Sequence, residues 1–126
     1  MKRPLQVLCA EDNSQIGEVM VCMLENAGHT AIHAPDGVVA WEMLNANLIA
    51  FDVLVTDHQM PGFTGLELVQ RLREKVFHGR IYVYSAAIKP AEEQAYRRQR
   101  VDGIFSKSVG IAEFLRAVEM APASVS

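Results

Sequence analysis

The chain has 126 residues, a length that suits one compact domain, and 50% of them are hydrophobic while 21% are charged, as in an ordinary globular core. Its 12 basic and 15 acidic residues give a net charge of −3, which does not favour direct nucleic-acid binding, because such proteins usually carry a basic excess. The apolar run after the basic N-terminus is broken by Gln6 and then by Glu11-Asp12, so neither a signal peptide nor a membrane span of roughly 20 residues is expected. We therefore expect a cytoplasmic protein without membrane insertion.

The first half of the chain alternates short apolar runs with segments of helical period. Residues 5–10 predict a strand, and the next segment predicts a helix that stops at Gly28 and has its apolar face at Ile16, Val19, Met20, Met23, Leu24 and Ala27. Residues 29–34 predict a second strand, followed by a turn at 35–37 and a second helix marked by Val38, Trp41, Leu44 and Leu48. Residues 51–56 predict a third strand that ends immediately before Asp57.

The second half repeats the pattern. After a Pro- and Gly-containing loop at 60–63, Thr64 and Glu67 have the spacing of a capping box, and the third helix is carried by Leu68, Val69, Leu72 and Val76. Residues 80–84 predict a fourth strand ending at Ser85, and Pro90 suits the first turn of a fourth helix whose thin apolar face depends on Ala91 and Ala95. Residues 101–106 predict a fifth strand, and the last helix is marked by Ile111, Phe114, Leu115 and Val118. Residues 121–126 are expected to be a frayed tail.

Five β–α units with continuous apolar strands predict an α/β fold, a doubly wound parallel sheet with helices on both faces. Because no linker or repeat interrupts the pattern, residues 1–126 are expected to form a single domain. Cys9 and Cys22 both lie in apolar runs and are expected to be reduced core residues.

Polar side chains follow four of the predicted strands: Glu11 and Asp12 the first, Asp57 the third, Ser85 the fourth and Lys107 the fifth. In a doubly wound sheet these strand ends share the edge where ligands bind. Three converging carboxylates favour a hard divalent cation such as Mg²⁺, and an Asp beside that cation can attack a phosphoryl group. A lysine and a hydroxyl can bind the phosphoryl oxygens. Separately, the acidic pair could cap a helix and the lysine could be a solvated surface charge, but the agreement of four strand ends favours a phosphoryl site.

These residues lie in stretches that resemble the receiver domain of bacterial two-component response regulators, and the resemblance covers nearly the whole chain. The stretches are 7–13, 52–65, 84–86 and 105–107, and the most specific is the run Asp-x-x-Met-Pro-x-x-x-Gly from Asp57 to Gly65. The resemblance implies a flavodoxin-like (βα)5 sheet of strand order 2-1-3-4-5, and a stand-alone regulator similar to the chemotaxis-Y type.

The resemblance also implies roles for the acidic residues. Asp57 would be the phospho-acceptor, Asp12 a direct ligand of Mg²⁺ or Mn²⁺, Glu11 a ligand through water, and Gln59 a ligand through its backbone carbonyl. A sensor histidine kinase or histidine phosphotransfer protein would donate the phosphoryl group. The chain would be a signalling receiver and no enzyme beyond its own phosphoryl transfer and dephosphorylation.

Transmission of the signal is where the sequence departs from the family pattern. By resemblance, Ser85 turns toward the phosphoryl group, Lys107 pairs with that group, and an output protein binds the face formed by the fourth helix, fifth strand and fifth helix. The family usually has Tyr or Phe where this chain has Ile104, with Phe105 beside it, and proline where it has Ser108. These departures keep open a phosphorylation-independent interaction module on the same fold.

An aspartyl-nucleophile phosphatase is a less favoured function, because such enzymes usually carry an acid at the position of Gln59.

Two further features, the basic stretch and His58, each have two interpretations. The basic stretch 96–100 is read as a solvated face, or alternatively as a docking or switching helix. His58 either shapes access to Asp57 or is simply exposed, while His29 and His33 are about 13 Å apart on an extended strand, too far to share a metal.

Overall fold

The structure is a computed structural model and describes residues 3–121, so the tail predicted at 121–126 lies outside the described residues except for Ala121. Five β–α units follow one another: β1 (Gln6–Ala10), α1 (Ser14–Asn26), β2 (Thr30–Ala34), α2 (Gly37–Ala46), β3 (Val53–Thr56), α3 (Gly65–Arg73), β4 (Arg80–Ser85), α4 (Pro90–Arg98), β5 (Gly103–Ser106) and α5 (Ile111–Met120). Within this part of the chain, no helix has both the length and the apolar character needed to cross a membrane.

The five strands form one sheet in the order β2-β1-β3-β4-β5, and every neighbouring pair is parallel. The predicted doubly wound α/β fold is therefore confirmed. The chain leaves β1 toward β2 and then crosses back to β3 on the other side of β1, so the order of connection reverses between β1 and β3. Ala10 pairs with Thr56 at the ends of these two strands, which brings the residues that follow them to one crevice.

Each face of the sheet has its own core. Alternate strand residues point to opposite faces, so Leu54 packs with α2 and α3 while Val53 and Val55 pack with α1 and α5. In the first core, α2 contributes Leu44 and α3 contributes Leu72. The buried members of this core are Leu8, Ala10, Ala34, Ala40, Leu44, Leu54, Met60, Leu68, Val69, Leu72, Phe77, Ile81, Val83 and Tyr96. Covering both faces explains why the strands read as continuous apolar runs.

The buried stripe of α1 is narrower than the sequence predicted. The stripe consists of Gly17, Met20 and Leu24. A side chain at position 17 would collide with the ring of His33, so only glycine allows α1 to approach β2 so closely. The predicted core positions Val19 and Cys22 lie on the flanks and are exposed, whereas Cys9 is buried as predicted. Cys22 is therefore a free thiol but not a core residue, and its predicted place in the core is wrong.

Several predicted element ends are also wrong by a few residues. Strands β2, β3 and β5 begin later than predicted, at Thr30, Val53 and Gly103. Helices α2 and α3 end at Ala46 and Arg73, so Leu48 and Val76 follow them instead of extending their apolar faces, and Val76 is 70% exposed. The capping box is confirmed at the start of α3, where the Glu67 N–H donates to Thr64 Oγ1 (3.1 Å) and the Thr64 N–H donates to Glu67 Oε1 (3.0 Å).

Helix α4 begins at Pro90 as predicted, but its contact with the core differs from the prediction. Ala91 is exposed and Ala95 is half-buried, while Tyr96, within the basic stretch read as a solvated face, is the buried residue of α4 and is 0% exposed. A tyrosine can be buried in a polar segment when its hydroxyl finds a hydrogen-bond partner, and Tyr96 has one. One aromatic side chain therefore anchors this helix.

Candidate functional site

The parallel ladder places two acidic residues at the switch point. The Glu11 N–H donates to the Ala34 carbonyl and the Asp57 N–H donates to the Ala10 carbonyl, each at 3.0 Å, so the sheet pairing continues one residue past β1 and β3. Glu11 is 2% exposed and Asp57 is 6% exposed. Both carboxylates are thus held by backbone at the carboxyl edge of the sheet, as the sequence predicted.

Glu11, Asp12 and Asp57 form an acidic cluster in which one carboxylate oxygen of each lies within 4.8 Å of the others. Asp12 is exposed to solvent, whereas the other two are buried. Oxygen donors at this spacing fit a hard divalent cation such as Mg²⁺, which accepts carboxylates and water. Gln59 lies in the following loop and is exposed, and the ligand role of its backbone carbonyl stays a prediction.

Lys107 joins this cluster from the end of β5. Its Nζ lies 2.7 Å from Asp57 Oδ2 and 2.9 Å from Glu11 Oε1, and its backbone N–H donates to the Ser85 carbonyl at 2.9 Å. Burial alone would lower the pKa of Lys107, but the hydrogen bonds and charges of the two carboxylates raise it above its usual value. The lysine is therefore a fixed cation beside Asp57.

Glu11 has a different electrostatic environment. Burial raises the pKa of Glu11 from 4.5 to about 7, against the opposing effects of the Lys107 ammonium and of the Asn13 N–H, which donates to Glu11 Oε2 at 3.1 Å. The charge of Asp57 raises the pKa of Glu11 further. In the absence of a cation, Glu11 therefore binds a proton more readily than a free glutamate does.

The predicted switch residues lie on β4 and β5. Ser85 ends β4, is 4% exposed and pairs with Ser106 in the sheet. Ile104 packs against the core beneath α2 and α3, whereas Phe105 faces the other core and makes an edge contact with Phe114 at 5.1 Å between ring centroids. Phe105 therefore does not stand in for an aromatic at position 104, because successive strand residues point to opposite faces.

Ser108 is held in a short turn after Lys107. Its N–H donates to Ser106 Oγ at 3.1 Å and its hydroxyl contacts the same oxygen at 2.9 Å. Hydrogen bonds from a serine thus order the chain at the position where the family usually has proline.

His58 was not recognised from the sequence as a buried residue. Its backbone N–H donates to Asp57 Oδ1 at 2.7 Å, its ring Nδ1 lies 2.7 Å from the Tyr96 hydroxyl, and its Nε2 lies 2.9 Å from Glu92 Oε2. The residue is 5% exposed, so the reading of His58 as an exposed neighbour is wrong. No local pattern in the sequence identifies this contact, because His58 and Tyr96 are separated by 38 residues.

Gly65 fixes the loop between Asp57 and α3. Its N–H donates to the His58 carbonyl at 2.8 Å. A Cβ at this position would collide with the Asp57 carbonyl and would lie 2.6 Å from the Tyr96 hydroxyl, so only glycine fits. The glycine of the run that ends at Gly65 is thus required by close packing around the acidic residue.

His29 and His33 each have their own hydrogen-bond partners. His33 Nε2 contacts the Glu11 carbonyl at 2.7 Å, and His29 accepts the Leu5 N–H at 2.9 Å and lies 3.0 Å from Glu119 Oε2. Within residues 3–121, the acidic cluster is the one group of three or more His, Cys, Asp or Glu side chains whose spacing could hold a metal ion.

This fold and this edge cluster define a class of protein. Residues 7–119 match the family described as the response regulator receiver domain, and the chain belongs to that family. Receiver domains are signalling modules of two-component systems; they bind Mg²⁺ at an acidic pocket and interact with histidine kinases and phosphotransfer proteins.

Individual relatives support this assignment. The chain is 33% identical over 88 residues to the chemotaxis protein CheY of Pseudomonas aeruginosa, covering 68% of this chain and 69% of that protein. The receiver domain of Francisella response regulator 1452 superposes with a TM-score of 0.81 at 26% identity, covering 90% of this chain and 93% of that one. A response regulator receiver protein from Pseudomonas putida shares the fold with a TM-score of 0.84 at 21% identity, covering 96% of this chain and 100% of that one.

Other curated relatives are much longer proteins. The chain spans 10% of the 3',5'-cyclic-nucleotide phosphodiesterase regA of Dictyostelium discoideum, with 29% identity over 79 residues that cover 63% of this chain. Such a match concerns only a small part of that protein.

Proposed function

We propose that this chain accepts a phosphoryl group on Asp57 from a sensor histidine kinase or a histidine phosphotransfer protein, in a Mg²⁺-dependent reaction. The observation that carries the proposal is the environment of the Asp57 carboxylate, which is held by the His58 N–H on Oδ1 and by Lys107 Nζ on Oδ2, with Glu11 and Asp12 beside it. This arrangement orients an acceptor and supplies positive charge without a catalytic histidine, which suits phosphoryl transfer.

In the proposed step, a carboxylate oxygen of Asp57 attacks phosphorus and forms a P–O bond. The P–N bond to the donor's phosphohistidine breaks, and its electron pair stays on the imidazole nitrogen. Glu11, Asp12 and Asp57 would hold Mg²⁺, which neutralises charge on the phosphoryl oxygens when it is bound. The Lys107 ammonium, already 2.7 Å from Asp57 Oδ2, can transfer its hydrogen bond to an incoming phosphoryl oxygen.

The acyl phosphate would then shift an equilibrium between two conformations of the receiver. Ser85, buried at the end of β4, is the predicted hydroxyl donor to the phosphoryl group, and an output protein would recognise the face formed by α4, β5 and α5. The single-domain organisation, the cytoplasmic location and this output face stay predictions.

The test is labelling with phosphoramidate and Mg²⁺, followed by intact-protein mass spectrometry. The wild-type chain should gain one phosphoryl group, and Asp57→Asn should gain none. Asp52→Asn is the matched control, because Asp52 lies before β3 at the opposite edge of the sheet, where its carboxylate accepts the Gln6 N–H at 2.9 Å. Equal labelling of Asp57→Asn and wild type would refute the assignment of the acceptor.

The packing of Ile104 favours one alternative function, a receiver-like module whose binding does not depend on phosphorylation. Ile104 carries no aromatic ring to turn between two positions and is packed against the core. That alternative would replace the proposal if full labelling of Asp57 left the amide spectrum of α4, β5 and α5 unchanged. A phosphatase acting on small substrates would instead show steady turnover of a phosphate ester.

A further inference from the structure

We propose that His58 is a positioning residue that couples Asp57 to α4, through the side chains of Tyr96 and Glu92. This inference rests on the proposed phosphorylation of Asp57 and concerns how that event is transmitted in a chain with Ile104 at the usual aromatic position.

His58 contacts both the proposed acceptor and α4. Its backbone N–H binds Asp57 Oδ1, and its two ring nitrogens contact Tyr96 and Glu92, which both belong to α4. The imidazole packs edge-on to the Tyr96 ring, with 5.5 Å between centroids. Movement of the peptide between Asp57 and His58 therefore changes the fit of both α4 side chains.

The direction of the hydrogen bonds around His58 follows from the chemistry of Glu92. Glu92 is ionised, because the Lys89 N–H, which donates to Glu92 Oε1 at 2.9 Å, and then the His58 ring lower the pKa of that carboxyl. A carboxylate only accepts, so Nε2 carries the proton, and in the neutral imidazole Nδ1 accepts from the Tyr96 hydroxyl. Burial raises the pKa of Tyr96, which keeps that hydroxyl protonated as a donor. Glu92 thus ties the first turn of α4 to His58.

Helix α4 depends heavily on these contacts. Tyr96 is its buried residue. At the other end, Arg73 of α3 donates from Nε to the Gln99 carbonyl at 2.8 Å and from Nη2 to the Arg100 carbonyl at 3.1 Å. Loss of the His58 contacts would therefore release the first two turns of α4 while Arg73 keeps the C-terminal end in place.

Phosphorylation would change the Asp57 carboxylate itself. Bond formation to phosphorus consumes one carboxylate oxygen and removes most of the negative charge from the other, which weakens the charge-assisted hydrogen bond from the His58 N–H. We infer that phosphorylation shifts this peptide and loosens the contacts with Tyr96 and Glu92. Because coupling between two sites is reciprocal, removal of those contacts must in turn favour the phosphorylated conformation.

The experiment measures both directions of the coupling in the intact chain, with Mg²⁺ and beryllofluoride as a stable phosphoryl mimic. In wild type, the mimic should increase hydrogen exchange at residues 89–96 more than at residues 97–100. Tyr96→Phe removes only the hydroxyl and should bind the mimic about 3- to 10-fold more tightly, the range expected for loss of one hydrogen bond that opposes the bound state. The same variant should show a smaller change in exchange at residues 89–96 when the mimic binds.

Two matched controls separate coupling from general damage. Tyr82→Phe removes another buried tyrosine hydroxyl, one that accepts from Arg80 Nη1 at 2.9 Å, and should behave like wild type. Glu92→Gln should reproduce the effect of Tyr96→Phe, whereas Glu93→Gln, one residue along and paired with Arg97 on the helix surface, should not. Urea unfolding of each variant measures whether the fold is retained. If Tyr96→Phe does not fold, Glu92→Gln is used for the test in its place.

The outcomes distinguish this inference from the proposed function. If wild type neither binds the mimic nor is labelled on Asp57, the proposed function fails. If wild type binds it but Tyr96→Phe and Glu92→Gln bind with unchanged or weaker affinity, His58 has only a structural role and the coupling is refuted. Tighter binding in both variants, with unchanged controls, supports it.

Discussion

In the metal-free protein, the free energy of unfolding should fall as pH rises toward neutrality, because of Glu11. Burial is the main cause that raises the pKa of Glu11 from 4.5 to about 7 in the fold. Between these two values the folded chain holds a proton that the unfolded chain has already released. Rising pH therefore favours the unfolded state over this window, and the stabilising effect of the proton is lost as pH passes through the folded pKa.

The size of this effect follows from the two pKa values. A tenfold change in proton affinity corresponds to about 1.4 kcal/mol, so the contribution of Glu11 should fall by about 2 to 3 kcal/mol between about pH 5 and about pH 8. Saturating Mg²⁺ should remove the decrease, because a cation in the acidic cluster favours the ionised carboxylate.

Urea unfolding in chelator across this pH range measures the effect, with Glu11→Gln as the informative variant. The amide keeps an oxygen for the Asn13 N–H but does not titrate, so the decrease should disappear from the variant. All other groups are the same in both proteins, so their contributions cancel in the difference. Glu25→Gln, an exposed acid on α1, is the matched control and should follow wild type. If wild type and Glu11→Gln depend equally on pH, the reasoning is refuted.

Three further predictions test the packing around the site and the core. Lys107→Met leaves two buried carboxylates without their cation and should lower the free energy of unfolding in chelator by about 2 to 4 kcal/mol. Mg²⁺ should restore part of this loss. Urea titration measures the free energy of unfolding, and a decrease below about 1 kcal/mol would contradict the prediction. Gly65→Ala should lower the thermal midpoint strongly because of the collisions described above, whereas Gly110→Ala, with nothing within 4 Å of its added Cβ, should leave it nearly unchanged. Cys22 should react with a thiol reagent in the folded protein, whereas Cys9, whose pKa burial raises to about 12, should react only on unfolding. Mass spectrometry of the modified chain gives the order of reaction, and modification of Cys9 before Cys22 would contradict the prediction.

The site residues at the strand ends were predictable because topology places them. Parallel strands have their carboxyl ends at one edge, so Glu11, Asp57 and Lys107 had to meet once each strand was recognised from its apolar run. The same topology predicts no individual side-chain contact. The precise pairing of Lys107 with both carboxylates is a property of the folded structure.

What the sequence could not indicate is packing between distant segments. His58 and Tyr96 are separated by 38 residues, and neither has a local pattern that identifies the other. The exposure of Val19 and Cys22 likewise depends on the approach of His33 to Gly17, which no periodicity records. Apolar residues such as Val76 also occur on surfaces, so a continued apolar pattern extends a predicted helix too far.

The two backbone hydrogen bonds that extend the sheet past β1 and β3 have a consequence for how the site fails. The amides of Glu11 and Asp57 belong to the central ladder, and they should exchange with solvent only through openings that approach global unfolding. The Asp57 carboxylate and the core therefore form one cooperative unit. A destabilising variant should lower the fraction of molecules that can be labelled without altering the chemistry of those that remain folded, so its labelling should recover fully when an osmolyte restores the folded population.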